Sequence, residues 1–579
     1  MGRLIMKNIS ILLFFFFGIV AFAQIPRNLI DVDISVFLPE KAMLEVNSDI
    51  LLAGELIQYK IQVIGDKNVK SNLSKVGYVS LRNQNDSVIF NHKLRLKSGK
   101  ASGDFFLPAS LRTGKYFLIG YTNFSRNSPA DAFDKKNIYV VNTFMENTGA
   151  LKARDTVQIS GISQNREHLI TKNNKTETLK IETDKQVYGL REKVNLTLDS
   201  FDKTGGDYVL SVRKINPVQI LDQDSKLSQE RNPDIFYIPE LRGELVSGVV
   251  LSTLDNSPIA NKEVSLTIPG IDFIFDLAKT DKNGRFFFSI PDDYNSENSL
   301  VQVVASNEDT KGYTIVLDKK DFTLENIETA VIKIDPELKS WLQERSVQLQ
   351  LENAYFEKKQ DSIFPRIYHP LFYYDLGTLY LLDDYTRFPT VREIFIEIIT
   401  LAAIRGSGEN TRFFVYNNYD PNGIGKFNNI PPLILMDGMM IQNNLELINY
   451  NVRKIKSIRI INEPYRYGPK LFNGIISVET FKGDFRPAPD SNIREIKLPS
   501  TVLERKYFNP DYGDKSLVSR IPDYRVQLLW HPRVVISNLV YNTSFYTSDV
   551  PGIYEIQLIG FAYTGERISL KDYFEVNGN

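Results

Sequence analysis

Short runs that alternate apolar and polar residues, broken by turn residues, recur along nearly the whole of this chain, and they leave few folds open. Between Ile34 and Val141 the runs LIQYKIQVIG, SVIFNHKLRL and GKYFLIGYTNF set Val, Ile, Tyr and Phe at strand spacing. A period of two sends successive side chains to opposite faces of a strand, and many such strands separated by turn signals predict an antiparallel sandwich. The pattern returns from Thr178 to Ile238 (TLKIETDKQVYGLREKVNLTLDS, then DYVLSVRKIN), from Leu245 to Leu317, and from Arg525 to Val576. The expectation is a mainly β chain of tandem sandwiches.

Three stretches depart from it. Asn147 to Glu177 is rich in Asn, Lys, Thr and Gln and predicts a linker or long loop. Phe322 to Asp384 mixes acidic and aromatic clusters with a helical pattern around Asp335 to Glu357. Pro389 to Ala403 carries Val391, Ile394, Phe395, Ile398 and Ile399 at helical spacing, with a start marked by Pro-Thr and Glu393. Strands are predicted after it at Phe413 to Tyr416, Pro432 to Met436, Ile455 to Ile461 and Gly474 to Thr480, which makes this a small α/β block.

Arg3 and Lys7 precede an apolar run from Ile9 to Val20, followed by Ala21-Phe22-Ala23 and Gln24. That is the three-part pattern of a secretory signal peptide cleaved before Gln24, and the apolar run is shorter than the ~20 residues that span a bilayer. No later window predicts a transmembrane helix. With residues 1–23 removed, about 555 of the 579 remain, room for three to six domains at ~100–200 residues each. The 69 basic and 70 acidic residues nearly cancel, so no broad field favours nucleic acid or an anionic membrane surface. The absence of cysteine excludes disulfides, a thiolate nucleophile, a zinc-cysteine site and an acceptor for a lipid anchor.

Chemistry-bearing residues form no recognisable catalytic or metal pattern, and no cofactor is expected. His92, His168, His369 and His531 are scattered without HExxH or paired spacing. Asp383-Asp384 and Glu393 with Glu397 fit surface charge better than an acid–base pair. Neither a GxSxG elbow nor a phosphate-binding loop is present, and GSGEN at Gly406 to Asn410 is a glycine-containing turn. The Tyr-rich tract from Tyr368 to Tyr385 has two readings, an aromatic sugar platform or core packing, of which packing is favoured.

Several motifs resemble known modules. LLAGELIQYKIQV, with Gly54 turning into its strand, and GKYFLIGYTNFSRN, running from Gly114 through Asn123 to Asn127, are similar to a domain of bacterial macroglobulins. TDKQVYGLREKVNLTLDS resembles a neighbouring macroglobulin domain, and so does SFYTSDVPGIYEIQLIGFAYTGE with its Pro551-Gly552 turn. The thioester of protease-trapping macroglobulins needs a cysteine, so the trapping mechanism is not implied. SGVVLSTLDNSPIANKEVSLTI followed by AKTDKNGRFFFSIP, with its Asp281 to Gly284 turn, resembles a carboxypeptidase regulatory-like domain, a structural module without catalysis. LILMDG with Asp437-Gly438, the run from Val452 to Ile460, Tyr467-Gly468 and NGIISV with Gly474 resemble the plug domain of TonB-dependent outer-membrane receptors. Only the 94 residues from Arg486 to Asn579 follow that block, too few for a receptor barrel of ~22 strands.

These features predict tandem immunoglobulin-like or macroglobulin-type sandwiches plus a small plug-like α/β domain. The expected units are 1–23 signal peptide, 27–145 first sandwich, 146–177 linker, 178–243 second sandwich, 244–320 regulatory-like sandwich, 321–387 connector, 388–486 plug-like block and 487–579 C-terminal sandwich. The structural motif residues are Gly54, Gly114, Asn123, Asp281, Gly284, Asp437, Gly438, Gly468, Gly474 and Gly552. The expected role is a non-enzymatic binding or scaffold protein of the periplasm or outer membrane, whose partner is an outer-membrane protein or a secretion or transport complex. Two other readings stand beside it. In one, the plug-like block engages another chain's barrel in TonB-dependent transport. In the other, a hydrolytic site lies within 322–384. Nucleic acid is not an expected partner, and no small-molecule ligand is indicated.

Overall fold

A computed structural model describes residues 38–578 except 129–133, 146–154, 163–174, 177–178, 201–204, 223–227, 230–235, 271, 292–293, 295–297, 306–309, 319, 321–322, 326, 328, 367–369, 420–426, 428, 514–519 and 537–539. The signal sequence, His168, Tyr368 and His369 lie outside the described residues. The chain is mainly β, divided among many small sheets.

The first sandwich pairs two sheets. Leu56–Ile64 lies between Lys41–Val46 and Lys100–Phe106 in one. The other runs in the order Ile50–Leu52, Asp134–Val141, Gly114–Tyr121, Val76–Asn83, Val88–Arg95. Inward alternation supplies the core, with Leu44, Ile57, Tyr59, Ile61, Val79, Leu81, Leu118 and Val140 buried between the sheets. Eight large side chains removed from water at about 1.5–3 kcal/mol each are the main force holding the layers together.

The second sandwich is built from both ends of the remaining chain, which corrects the expectation of separate units at 178–243 and 487–579. Leu179–Thr183, Lys193–Ser200 and Val540–Tyr546 form one sheet. Gly206–Lys214 sits between Gln527–Ile536 and Gly552–Ala562 in the other, which Arg567–Val576 and Val187–Tyr188 extend. Ile181, Leu196, Leu198, Tyr208 and Leu210 share one core with Val534, Phe545, Ile556, Leu558 and Phe574. The physical reason is that 178–214 supplies too few strands to cover its own apolar faces. Everything from 215 to 526 is thus an excursion between paired strands, and the sheet closes only when Asp199 meets Val540. Such pairing carries a large loop-closure cost and should form late.

The expected linker at 146–177 contains a strand, Asp155–Gly161, paired with Val218–Leu221 and, in parallel, with Ala330–Ile334. Val157 and Ile159 are buried there against Ile50, Leu52, Tyr139 and Val141. Its two inward residues sit among polar flanks, so the alternation is too short to stand out. The helix α1, Lys339–Ala354, follows within the connector.

The third sandwich packs Arg285–Ile290, Glu244–Ser252 and Tyr313–Leu317 against a sheet of Ile274–Lys279, Glu263–Ile268, Asn298–Val303 and Ile493–Lys497. Its last strand comes from beyond the α/β block, so 487–579 serves two sandwiches. The α/β block has a five-stranded sheet in the order Thr378–Leu381, Ile455–Tyr467, Lys470–Thr480, Leu433–Met436, Met439–Met440. It therefore takes its edge strand from before Phe388. The helices α2, Val391–Glu397, and α3, Asn444–Ile448, contribute Val391, Ile394, Phe395 and Leu447 to one core with Ile458, Ile460, Ile476 and Val478 of the sheet.

Thr390 caps α2. Its hydroxyl accepts from the Glu393 amide, while the Glu393 carboxylate accepts from the Thr390 amide, a capping box worth about 1 kcal/mol. The helix ends six residues earlier than its apolar spacing predicts. Ile398, Ile399 and Thr400 are β-branched and resist helix, and Ala402–Arg405 instead forms a hairpin with Arg412–Val415. Among the described residues, no helix is long and apolar enough to cross a membrane.

Candidate functional site

The residues that sequence motifs single out gather at the joints between modules. Asp437 and Gly438 form the turn between Leu433–Met436 and Met439–Met440, with φ of 50° and 83°. The buried Asp437 carboxylate accepts from the Thr480 amide at 2.8 Å, the Thr480 hydroxyl at 2.7 Å and the Phe485 amide at 3.0 Å. It ties the turn to the end of the neighbouring strand. A Cβ on Gly438 would stand 2.3 Å from the Phe273 ring, and the Gly438 carbonyl accepts from the Thr267 hydroxyl at 3.2 Å. Only glycine lets this turn dock on the third sandwich.

The same face is sealed around it. Gly468, at the tip of the long hairpin, has φ of 53° and lies against the Leu277 carbonyl. The Tyr467 hydroxyl donates to the Phe275 carbonyl at 2.6 Å. Gln442 accepts from the Ala305 amide at 2.9 Å and donates to the Val303 carbonyl at 3.0 Å. Phe273, Phe275 and Leu277 form a single core with Tyr373, Leu433, Leu435, Phe472 and Ile475. Phe372 and Tyr373 of the Tyr-rich tract are therefore packing residues, Phe372 resting 4.3 Å from the Tyr467 ring centroid, whereas Tyr374 and Tyr385 are exposed. Gly474, with φ of 87°, sits in Lys470–Thr480 beside Val415.

A second joint links the first and third sandwiches through ions. Lys93 donates to Glu244 at 2.8 Å with both side chains essentially out of water, and Lys320 pairs with the other Glu244 oxygen. The Tyr294 hydroxyl lies between them, accepting from Lys93 and standing 2.9 Å from Glu244. Burial opposes the Glu244 charge, but Lys320 and Lys93 outweigh it and hold the carboxyl at about 2. Burial also lowers the Lys93 ammonium. Nearby Glu240 accepts from Tyr78 at 3.0 Å and the Leu245 amide at 2.9 Å through Oε1, while Oε2 makes no hydrogen bond among the described residues. Burial pushes the Glu240 carboxyl up to about 7.

The YTNFSRN motif secures the segment that leads into this joint. Asn123 donates to the Ile238 carbonyl at 2.8 Å, and Asn127 both donates to and accepts from the Tyr237 backbone. The Arg126 guanidinium lies 3.8 Å from the Tyr237 ring centroid. These polar side chains hold a linker rather than a ligand.

A third joint meets at Gly54 and Glu55. Arg345 of α1 grips Glu55 through two hydrogen bonds of 2.9 and 2.8 Å, and Arg213 of the second sandwich approaches it at 3.2 Å. Burial works to raise the Glu55 carboxyl, but Arg345 and Arg213 bring it below its usual value. Asn353 donates to the Gly54 carbonyl at 3.0 Å, where φ is 95°.

The remaining motif residues are local. Asp281 caps the turn into Arg285–Ile290 by accepting from the Asn283 and Arg285 amides, both at 2.8 Å, and Gly284 has φ of 71°. Gly114 opens a strand without positive φ and with room for a Cβ, so no steric need for glycine exists there. Gly552, with φ of 139°, starts Gly552–Ala562 beneath the Lys214 side chain.

Acid–base candidates are dispersed. His92 stands 2.6 Å from the Tyr59 hydroxyl inside the first sandwich, where burial and then Arg505 push it down to about 4. His531 lies in Gln527–Ile536 and is lowered by burial. Asp383 pairs with Arg387 on the surface, and Glu393 serves its helix cap. Among the described residues, no three His, Asp or Glu side chains are grouped to hold a metal ion. Lys93, Glu244, Glu55 and Arg345 escaped sequence reasoning, since a charged residue in a strand or helix carries no local mark of whether it faces water or a neighbouring module.

No known protein family matches the sequence, and no curated protein does. Similar solved structures include trypsin-activated alpha-2-macroglobulin from Escherichia coli, at 8% identity and a TM-score of 0.23 over 93% of this chain and 41% of that one. Methylamine-reacted Salmonella alpha-2-macroglobulin gives 8% and 0.24 over 93% and 40%, and the Yersinia pseudotuberculosis adhesin InvE gives 12% and 0.12 over 48% and 57%. The chain thus spans less than half the length of either macroglobulin. Scores this low transfer no arrangement of modules from those molecules to this one, and no regulatory-like or plug domain is identified through them.

Proposed function

We propose that this chain is a non-enzymatic scaffold of the bacterial cell envelope that works through protein–protein contacts at the outer membrane. The observation that carries the reading is where its buried charges go. The clusters around Glu244 and Glu55, and a third in which Asp523 pairs with Arg525 at 2.7 Å and faces Lys359 at 3.8 Å, each join different stretches of chain, and their charges are spent on one another. A catalytic centre keeps perturbed groups in reach of substrate; here they lock modules together. Thr378–Leu381, for one, ends its sheet as a largely exposed edge, a surface of the kind that protein partners use.

The transport alternative asks the plug-like block to occupy another chain's barrel. That would part the core shared by Phe273, Phe275, Leu433 and Phe472, which weighs towards a scaffold in which the block stays in place. The test is recovery of the tagged full chain from fractionated cells. The proposal expects it in the outer-membrane fraction together with a second protein in constant ratio. Recovery from the cytosol, or alone from every fraction, would remove it.

A further inference from the structure

One hairpin of the α/β block sets two exposed arginines directly opposite each other. Ala402–Arg405 and Arg412–Val415 pair so that Ala403 faces Phe414 and Arg405 faces Arg412. Alternation turns Ala402, Phe413 and Val415 into the core, with Ile404 packed against it. The opposite face therefore carries Ala403, Arg405, Arg412 and Phe414, of which Phe414 is itself buried and the two arginines are not. The Arg405 guanidinium lies over an aromatic shelf, 3.6 Å from the Phe414 ring centroid and 5.6 Å from that of Tyr416.

Both arginines are exposed. Directly opposed residues hold their Cβ atoms about 4.5–5.5 Å apart, and like charges so placed destabilise a strand pair. Among the described residues neither arginine has a carboxylate within ion-pair distance. A pair of guanidinium forks with no carboxylate partner among the described residues, one of them held over an aromatic ring, suits planar bidentate carboxylates and loses little side-chain freedom on binding. The chain's net charge of −1 provides no broad positive field to hold a nucleic acid or an anionic lipid surface. A discrete acidic side chain fits better than either.

We propose that this face binds an extended acidic segment of a partner protein, with a carboxylate held between Arg405 and Arg412. The proposal rests on the scaffold reading and names the chemistry of one of its contacts. Its test is fluorescence anisotropy of an end-capped, labelled hexaglutamate peptide titrated with the full chain at low ionic strength, with hexaglutamine as control and phosphatidylglycerol vesicles in a parallel arm. Hexaglutamate should bind in preference to hexaglutamine. Arg412→Gln, which leaves the Arg405 stack in place, should weaken binding by about tenfold, and Arg405→Glu with Arg412→Glu should abolish it.

Absence of peptide binding, equal binding by the charge-reversed chain, or binding to vesicles but not peptide would each overturn it. The two readings fail separately. If the charge-reversed chain still captures its envelope partner, the hairpin is not the contact and the scaffold remains; if the unaltered chain captures none, the scaffold falls first.

Discussion

Replacing Glu244 by Gln tests whether the ionic joint between the first and third sandwiches stabilises the assembly. The change keeps shape and a hydrogen-bond acceptor but takes the counter-charge from the Lys93 ammonium, whose side chain is 0% exposed and which also donates to Tyr294. Losing one member of a buried pair costs about 3–5 kcal/mol, because the survivor remains buried without its counter-charge. Lys320 adds little, since its side chain is 40% exposed and screened by water. At 1.4 kcal/mol per tenfold, local opening of Glu244–Ser252 and Val88–Arg95 should become roughly a hundred to a few thousand times more frequent. Hydrogen–deuterium exchange on peptides from those strands measures this directly. Lys93→Met combined with Glu244→Gln should recover a large part of the loss, because both charges are then gone. Protection changed by less than about threefold in the single variant, or a double variant as damaged as the sum of the singles, would refute the reasoning.

Glu240 predicts a pH dependence of opposite origin. Its folded value, about 7, lies above the ordinary 4.5, so its contribution is most favourable in acid and is lost as pH rises from about 4.5 through 7, by on the order of 3 kcal/mol. Glu240→Gln should therefore raise the melting temperature at pH 8 and change it little at pH 5; equal effects at both would contradict this. Gly438→Val combines a strained positive φ with a Cβ placed 2.3 Å from Phe273. It should cost about 2–5 kcal/mol and open the α/β block to limited proteolysis, and an unchanged digestion pattern would count against the docking turn. Truncation after Ile536 removes one of the two neighbouring strands of Lys193–Ser200 and of Gly206–Lys214. Gel filtration should then show aggregates, and a monodisperse monomer would argue against the discontinuous sandwich.

How far these features were legible from residues alone follows from what a repeat can encode. Alternation identifies a strand and its buried face, as in Lys193–Ser200 or Arg285–Ile290. It does not name the neighbouring strand. Lys193–Ser200 would look the same beside any apolar strand, and its partner at Val540–Tyr546 is over 300 residues away. The turn at Asp437-Gly438 was visible as a turn, but the ring of Phe273 that requires its glycine comes from another module. Arg405 and Arg412 fell just beyond the helix expected at Pro389 to Ala403 and just before the strand expected from Phe413, whereas both belong to hairpin strands. Their opposition appears only once Ile398 to Thr400 break that helix and the hairpin forms.

The central claim, that the chain acts by holding another envelope protein, is tested most directly by cross-linking in living cells followed by mass spectrometry of the full-length chain. The account predicts intermolecular links from this chain to an outer-membrane protein or transport complex, with residues of the 388–486 block among the linked positions. Links confined to the chain itself, at an abundance where other envelope proteins yield partners, would contradict it.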